Sequence, residues 1–273
     1  MPRLGLTAEA IAYCAAISAC EKCRQWERAL WLKDQALRER VAPSEAFYNA
    51  AISACEKGRR WEAALALFVE ARQRRLLASV VTYGAVVSAC EKGQQWERAL
   101  TLLKEMRRVA LRPAVITYNA AISACERRQR WDWALELLSQ LHCDACQPDV
   151  ITYNALISAC EKGNLSKRAL QLFSAMRQQE LSPDIITYNA LLSACDKACL
   201  PKRSLKLSEA MQQQGLVLDA ITYNLVIRAC EQAGMSVRAR YLLGAMQAQH
   251  CSALASACSS LKPKHGSLLS LGN

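Results

Sequence analysis

Histidine is nearly absent from this 273-residue chain, with only His142, His250 and His265 present. That scarcity excludes a His-rich metal centre, and no His-x-Glu followed by Pro-Cys-x-x-Cys supplies the ligands and acid of a zinc deaminase. A glycine-rich loop able to cradle phosphates is also missing. No run of 18 or more apolar residues occurs, so no membrane-spanning helix is read. The opening Met1-Pro2-Arg3-Leu4-Gly5-Leu6 has neither the apolar stretch of a secretory leader nor the Arg/Ser-rich amphipathic stretch of a transit peptide. A mature, truncated or untargeted chain is the expectation. Acidic residues are the minority, 24 against 35 Lys and Arg, which leaves a formal charge of +11 and favours polyanionic partners, nucleic acid first among them. These absences point to a binding protein with no catalytic apparatus, no cofactor and no metal.

Internal repetition is what the sequence has in abundance. Tyrosine stands at Tyr13, Tyr48, Tyr83, Tyr118, Tyr153, Tyr188 and Tyr223, each 35 residues from the last, and a cysteine follows seven residues later from Cys20 to Cys230. Taking each unit to begin three residues before its tyrosine gives repeats 1 to 7: 10–44, 45–79, 80–114, 115–149, 150–184, 185–219 and 220–254. Residues 1–9 read as the remnant of a preceding repeat. The Ser-rich, aperiodic residues 255–273 read as a disordered tail.

Each repeat carries two helical patterns. Tyr153, Ile157 and Cys160 form the i, i+4, i+7 stripe of a first helix ending near Gly163. Trp96, Ala99, Leu100, Leu103 and Met106 form the stripe of a second helix, after which segments such as Arg112-Pro113 or Ser182-Pro183 break the chain. One hairpin cannot bury both stripes, so neighbours must stack, and the expected fold is an all-α, right-handed solenoid with one concave face. Trp26, Trp61, Trp96 and Trp131 are assigned to the core between helices, and the repeated cysteines to small core positions. Cys20/Cys23 and Cys143/Cys146 have Cys-x-x-Cys spacing, but a single pair without a partner pair supplies too few ligands for zinc. All 14 cysteines suit a reducing compartment.

The segment Val-Ile-Thr-Tyr-Asn-Ala-Leu-Ile-Ser-Ala-Cys-Glu-Lys-Gly (150–163), with Leu-Ser-Pro-Asp at 181–184, closely resembles the P-class pentatricopeptide repeat, and the likeness extends over residues 10–254. The resemblance implies single-stranded RNA binding in organellar RNA metabolism, in a mitochondrion or chloroplast, with one base read per repeat by the fifth and last residues. The pairs are Cys14/Ser44, Asn49/Ser79, Gly84/Ala114, Asn119/Asp149, Asn154/Asp184, Asn189/Asp219 and Asn224/Leu254. By the same resemblance, Asn/Asp implies uracil and Asn/Ser cytosine, so the expected target contains C-N-U-U-U, while the other three pairs are left unassigned. The second residue of each repeat, which the resemblance implies sandwiches the bases, is Ile11, Ala46, Val81, Ile116, Ile151, Ile186 and Ile221, of which Ala46 is a weak wedge.

A separate electrostatic signal lies at the thirteenth position, where Lys22, Lys57, Lys92, Arg127, Lys162 and Lys197 recur. Such a column suits a phosphate backbone. A cation in the last turn of a helix also complements the macrodipole by about 0.3–1 kcal/mol, and the acids one position earlier, Glu21 to Glu231, offset the field. The alternative function is a peptide-binding scaffold, as in a ribonucleoprotein subunit, using the same face.

Overall fold

A computed structural model describes residues 3–247; the 255–273 segment and Leu254 lie outside the described residues. Every regular element among the described residues is an α-helix. In chain order they are α1 (Arg3–Lys22), α2 (Trp26–Arg38), α3 (Glu45–Lys57), α4 (Trp61–Gln73), α5 (Val80–Lys92), α6 (Trp96–Arg108), α7 (Val115–Arg127), α8 (Trp131–Cys143), α9 (Val150–Lys162), α10 (Ser166–Gln178), α11 (Ile185–Lys197), α12 (Pro201–Gln213) and α13 (Ala220–Gln232). A further helical stretch covers residues 236–247. The chain divides into two compact units, Met1–Pro183 and Asp184–Asn273.

In the first unit each first helix packs on the next, α1 on α3, α3 on α5, α5 on α7 and α7 on α9; each second helix packs on its own partner, and α2, α4, α6 and α8 also pack on the following first helix. Second helices do not approach one another within 8 Å between Cα atoms. A stack whose first helices touch while its second helices splay must bend with the first helices inside. That unit is therefore an α-solenoid with α1, α3, α5, α7 and α9 on its inner side. In the second unit α11 packs on α12 and α13, and α12 on α13.

The core follows the repeat. Tyr118, Ile122 and Cys125 are completely buried on α7, as are Tyr48, Ile52 and Cys55 to within 1% on α3. Full burial of each large apolar side chain is worth about 1.5–3 kcal/mol, so a single hairpin draws most of its stability from its neighbours. Burial also pushes the thiols of Cys55, Cys90 and Cys160 up to about 11 and that of Cys125 to about 12. All the described cysteines are free.

One expectation needs correction. The tryptophans that open the second helices are not core residues: Trp26, Trp61 and Trp96 are half-buried and Trp131 is 38% exposed. They lean instead on the glycine that ends the following first helix. A methyl group built on Gly58 would fall 2.4 Å from Trp26 Cδ1, on Gly93 2.2 Å from Trp61 Cδ1, and on Gly163 2.5 Å from Trp131 Cδ1. The indoles sit at the loop end of the hairpin, where arginines cover three of them. Arg60 lies over Trp26 at 4.6 Å, Arg98 over Trp61 at 4.5 Å and Arg130 over Trp96 at 4.4 Å. Where Arg128 replaces the glycine, Trp96 is tilted against Trp133 at 6.3 Å. Residues 3–9, read as the remnant of a preceding repeat, continue α1 as helix. Ala8 holds the place that proline holds at Pro43, Pro113, Pro148 and Pro183, so nothing interrupts the helix there.

Candidate nucleic-acid interface

The last residue of a repeat is also the N-cap of the next first helix. Ser44 caps α3, Ser79 α5, Asp149 α9, Asp184 α11 and Asp219 α13, each in extended conformation with its side chain accepting from the backbone amide three residues on. In α5, α9 and α11 that third residue, Thr82, Thr152 or Thr187, closes the capping box by accepting from the cap amide. Ala114 caps nothing with its side chain.

The same caps grip the asparagines at the fifth position. Asn119 Nδ2 donates to both carboxylate oxygens of Asp149, at 3.0 and 3.2 Å, and the Thr152 hydroxyl donates to Asn119 Oδ1 at 2.6 Å. Asn189 repeats this arrangement with Asp219 at 3.1 Å and Thr222 at 2.6 Å. In repeat 2 the Thr82 hydroxyl meets Asn49 Oδ1 at 2.7 Å, while Asn49 Nδ2 donates to Glu45 at 3.2 Å rather than to Ser79. A carboxylate on one side and a hydroxyl donor on the other fix which end of the amide is N and which is O. Asn119 is buried, with 7% of its surface exposed, and Asn49 and Asn189 are half-buried. Cys14 and Ser44 stand 4.0 Å apart, and a side chain added at Gly84 would touch Thr117 Oγ1 at 3.4 Å, so repeats 1 and 3 lack this amide.

Burial disfavours the charged form of Asp149, but hydrogen bonds from the Thr152 amide and hydroxyl and from Asn119 outweigh it and hold the carboxyl below its ordinary range. Asp219 is lowered in the same way, against its own burial, by Thr222 and Asn189. Beside these amides the second-position residues project into solvent. Ile11, Val81, Ile116, Ile151, Ile186 and Ile221 are 61–77% exposed, and Ala46 is exposed as well. Exposed β-branched residues on the inner helices of a stack have no partner in the core and suit contact with a flat apolar ligand.

The cations at the thirteenth position are tied across repeats. Lys57 pairs with Glu21 at 2.7 Å, Lys92 with Glu56 at 2.5 Å, Arg127 with Glu91 at 2.7 Å and Lys162 with Glu126 at 2.5 Å. Serines four residues earlier join the same carboxylates, Ser53 to Glu21, Ser88 to Glu56 and Ser158 to Glu126, at 2.7–2.8 Å. Arg228 takes the serine's place in repeat 7 and pairs with Asp196 at 3.2 Å. Burial raises the Glu91 carboxyl above its ordinary value, with Arg127 opposing. Lys22 has no ion-pair partner among the described residues. Sequence reasoning noted the acids but not that each faces the cation of the next repeat, and it passed over the threonines at Thr82, Thr152, Thr187 and Thr222, whose signal is Ser/Asp-x-x-Thr spacing at each helix start. Among the described residues no group of three or more His, Cys, Asp or Glu side chains is arranged to hold a metal ion.

This is a repeat protein of helical hairpins whose inner helices present ordered amides beside exposed aliphatic residues. Residues 7–164 match the family described as the pentacotripeptide-repeat region of PRORP, and residues 136–198, 183–232 and 221–251 match further pentatricopeptide repeat families. The chain belongs to the pentatricopeptide repeat family. A comparison with curated proteins returns no match. Among solved structures, the pentatricopeptide repeat protein PPR10 from maize is similar, with 26% identity, TM-score 0.64 and coverage of 86% of this chain. The chain spans 34% of the length of that protein. The repeat domain of Arabidopsis thaliana protein-only RNase P 1, solved in complex with tRNA, aligns at 16% identity and TM-score 0.62, covering 68% of this chain and 97% of that domain, and shows the fold alone.

Proposed function

We propose that the chain binds single-stranded RNA and selects bases repeat by repeat, without catalytic chemistry of its own. The observation that carries this reading is the pre-oriented amide at Asn119 and Asn189, each held by an aspartate cap and a threonine, beside the exposed Ile116 and Ile186. An amide fixed in this way loses little freedom when it meets a base edge, and a flanking aliphatic side chain covers the base plane. Support also comes from the structural likeness to maize PPR10, which has been solved in complex with an 18-nucleotide psaJ RNA element.

On this reading Asn119/Asp149, Asn154/Asp184 and Asn189/Asp219 take uracil, Asn49/Ser79 takes cytosine, and Asn224 contributes in the last repeat. Ile11, Val81, Ile116, Ile151, Ile186 and Ile221 sandwich the bases. Lys22, Lys57, Lys92, Arg127, Lys162 and Lys197 contact phosphate, the ion-paired ones after exchanging a carboxylate for it. The physiological setting is RNA metabolism in a mitochondrion or chloroplast. Selection of bound sequences from a random RNA pool tests the proposal: enrichment of C-N-U-U-U supports it, and a pool that emerges unenriched rejects it.

A further inference from the structure

We propose that the turns following the second helices of repeats 1–3 form an arginine edge that grips the phosphodiester backbone of bound single-stranded RNA, leaving base selection to Asn49 of repeat 2 and to the repeats after repeat 3. The inference rests on the RNA reading above and says where the available positive charge lies. In repeats 1–3 the residues at positions 29, 31 and 33 include Arg38, Arg40, Arg75, Arg108 and Arg112 and no acid. The same positions in repeats 4–6 hold Glu180 and no Lys or Arg. All five arginines are exposed, and none makes an ion pair or side-chain hydrogen bond with a described residue. Their availability contrasts with Lys57, Lys92 and Arg127, which are each held by a carboxylate.

Local structure does not account for them. Arg38 and Arg108 end α2 and α6 and complement the helix dipole, but Arg40, Arg75 and Arg112 lie beyond the helices. Arg40 and Arg75 adopt left-handed backbone, φ 56° and 60°, yet Ala110 and Ala145 hold the same conformation, so the turn does not require arginine. Chain geometry sets the edge beside the base-reading residues. Arg112 precedes Ala114 by two residues, and Arg40 and Arg75 precede Ser44 and Ser79 by four, within about 7 and 14 Å along the chain.

A cleft opens at the same edge. Ala78 stands where repeats 1, 3, 4 and 5 have proline, and beside it a cavity of about 470 Å³ is lined by Arg72, Arg75, Leu77, Tyr83, Val109 and Leu111. Leu77 is 87% and Val109 50% exposed. Arg72 in this lining is held by Glu105, so an apolar lining beside the Arg75 guanidinium suits a nucleoside whose phosphate lies on Arg75. Repeats 1 and 3 lack the asparagine amide, so the stretch of chain with the most available cations is also the stretch least equipped to discriminate bases. Grip and most of the reading are thus divided along the sequence.

The test uses the full chain, a labelled single-stranded RNA carrying C-N-U-U-U and a matched A-rich RNA, with affinity measured by fluorescence anisotropy across a salt series. The triple variant Arg40→Gln/Arg75→Gln/Arg112→Gln should flatten the slope of log K against log salt by about 2, at about 0.7 per lost single-strand contact. It should weaken both RNAs alike, whereas Arg→Lys at the three positions should keep the slope. Circular dichroism should show unchanged helicity, since these side chains bond to no described residue. If the wild-type chain binds RNA and the Gln variant keeps both slope and affinity, the inference is overturned while the RNA reading stands. Failure of the wild-type chain to bind either RNA refutes both readings, and capture of a poly-glutamate peptide by the wild-type chain but not the Gln variant would reassign the edge to a protein partner.

Discussion

Replacing Gly93 with alanine reverses the usual sign of a glycine-to-alanine exchange. Gly93 ends α5 with φ −83° and ψ 0°, ordinary right-handed backbone, where alanine is normally favoured over glycine by about 0.5–1 kcal/mol. The new methyl carbon, however, would lie 2.2 Å from Cδ1, 2.4 Å from Cγ and 2.9 Å from Cβ of Trp61. The obstruction includes the root of the indole side chain, so a small tilt of the ring cannot relieve it. Trp61 must leave its place, giving up the glycine face and the Arg98 guanidinium stacked 4.5 Å from its ring. Overpacking costs about 1–3 kcal/mol and a surface cation–π contact about 0.5–1 kcal/mol, so Gly93→Ala should destabilise the chain by about 1–3 kcal/mol after the backbone gain is subtracted. In a Trp61→Ala background the obstacle is gone, and the same exchange should stabilise by about 0.5–1 kcal/mol. Urea unfolding of the four members of this cycle, followed by circular dichroism, gives the coupling energy directly. A Gly93→Ala chain more stable than wild type, with no dependence on Trp61, would refute the packing argument.

Acid should strip the caps of α9 and α13. Asp149 and Asp219 have lowered pKa values in the folded chain, so their contribution is fully present above the unfolded value of about 3.9 and is lost as pH falls through the folded value. Urea midpoints should therefore fall below about pH 4, and less so in Asp149→Asn, whose neutral amide still caps the helix; equal acid sensitivity in the two proteins would contradict this. Asp149→Ala should cost about 0.5–2 kcal/mol at neutral pH, read from the same unfolding curves. Alkylation at mildly alkaline pH, mapped by mass spectrometry, should label exposed Cys23, Cys143 and Cys199 well before Cys55, Cys90, Cys125 and Cys160, whose thiols burial holds at about 11–12; uniform labelling would show that the hairpins open.

The fold was legible because its period is rigid. The tyrosine and cysteine of Tyr118 and Cys125 recur in every repeat with an aliphatic residue at the Ile122 position, all at helical spacing, and Asp149 or Gly163 marks where a helix starts or stops, so local chemistry and packing agree. What stayed hidden were relations between repeats. Glu56 meets Lys92 across 36 residues, one repeat plus one, and on the linear sequence each acid simply sits beside the cation of its own repeat. The tryptophans misled for a similar reason. Trp61 continues the apolar stripe of α4, but the glycine that receives it, Gly93, belongs to the next hairpin and has no side chain to announce a contact. Of the candidate site, the exposed Ile116 and the Asn119/Asp149 pair were visible as pattern. The clasp of Thr152 on that asparagine was not, because a threonine beside a core tyrosine reads as helix surface until the cap places it.

The central claim is that ordered amides select bases, and a competition measurement meets it most directly. Labelled RNA containing C-N-U-U-U is bound to the wild-type chain and displaced by the same RNA unlabelled, or by one in which U-U-U becomes A-A-A, and the pair is repeated with Asn119→Ala/Asn189→Ala. The account predicts that the uracil RNA displaces the label at lower concentration from the wild-type chain, and that the preference shrinks in the variant while overall binding persists. Equal displacement of the wild-type chain by the two RNAs would contradict it.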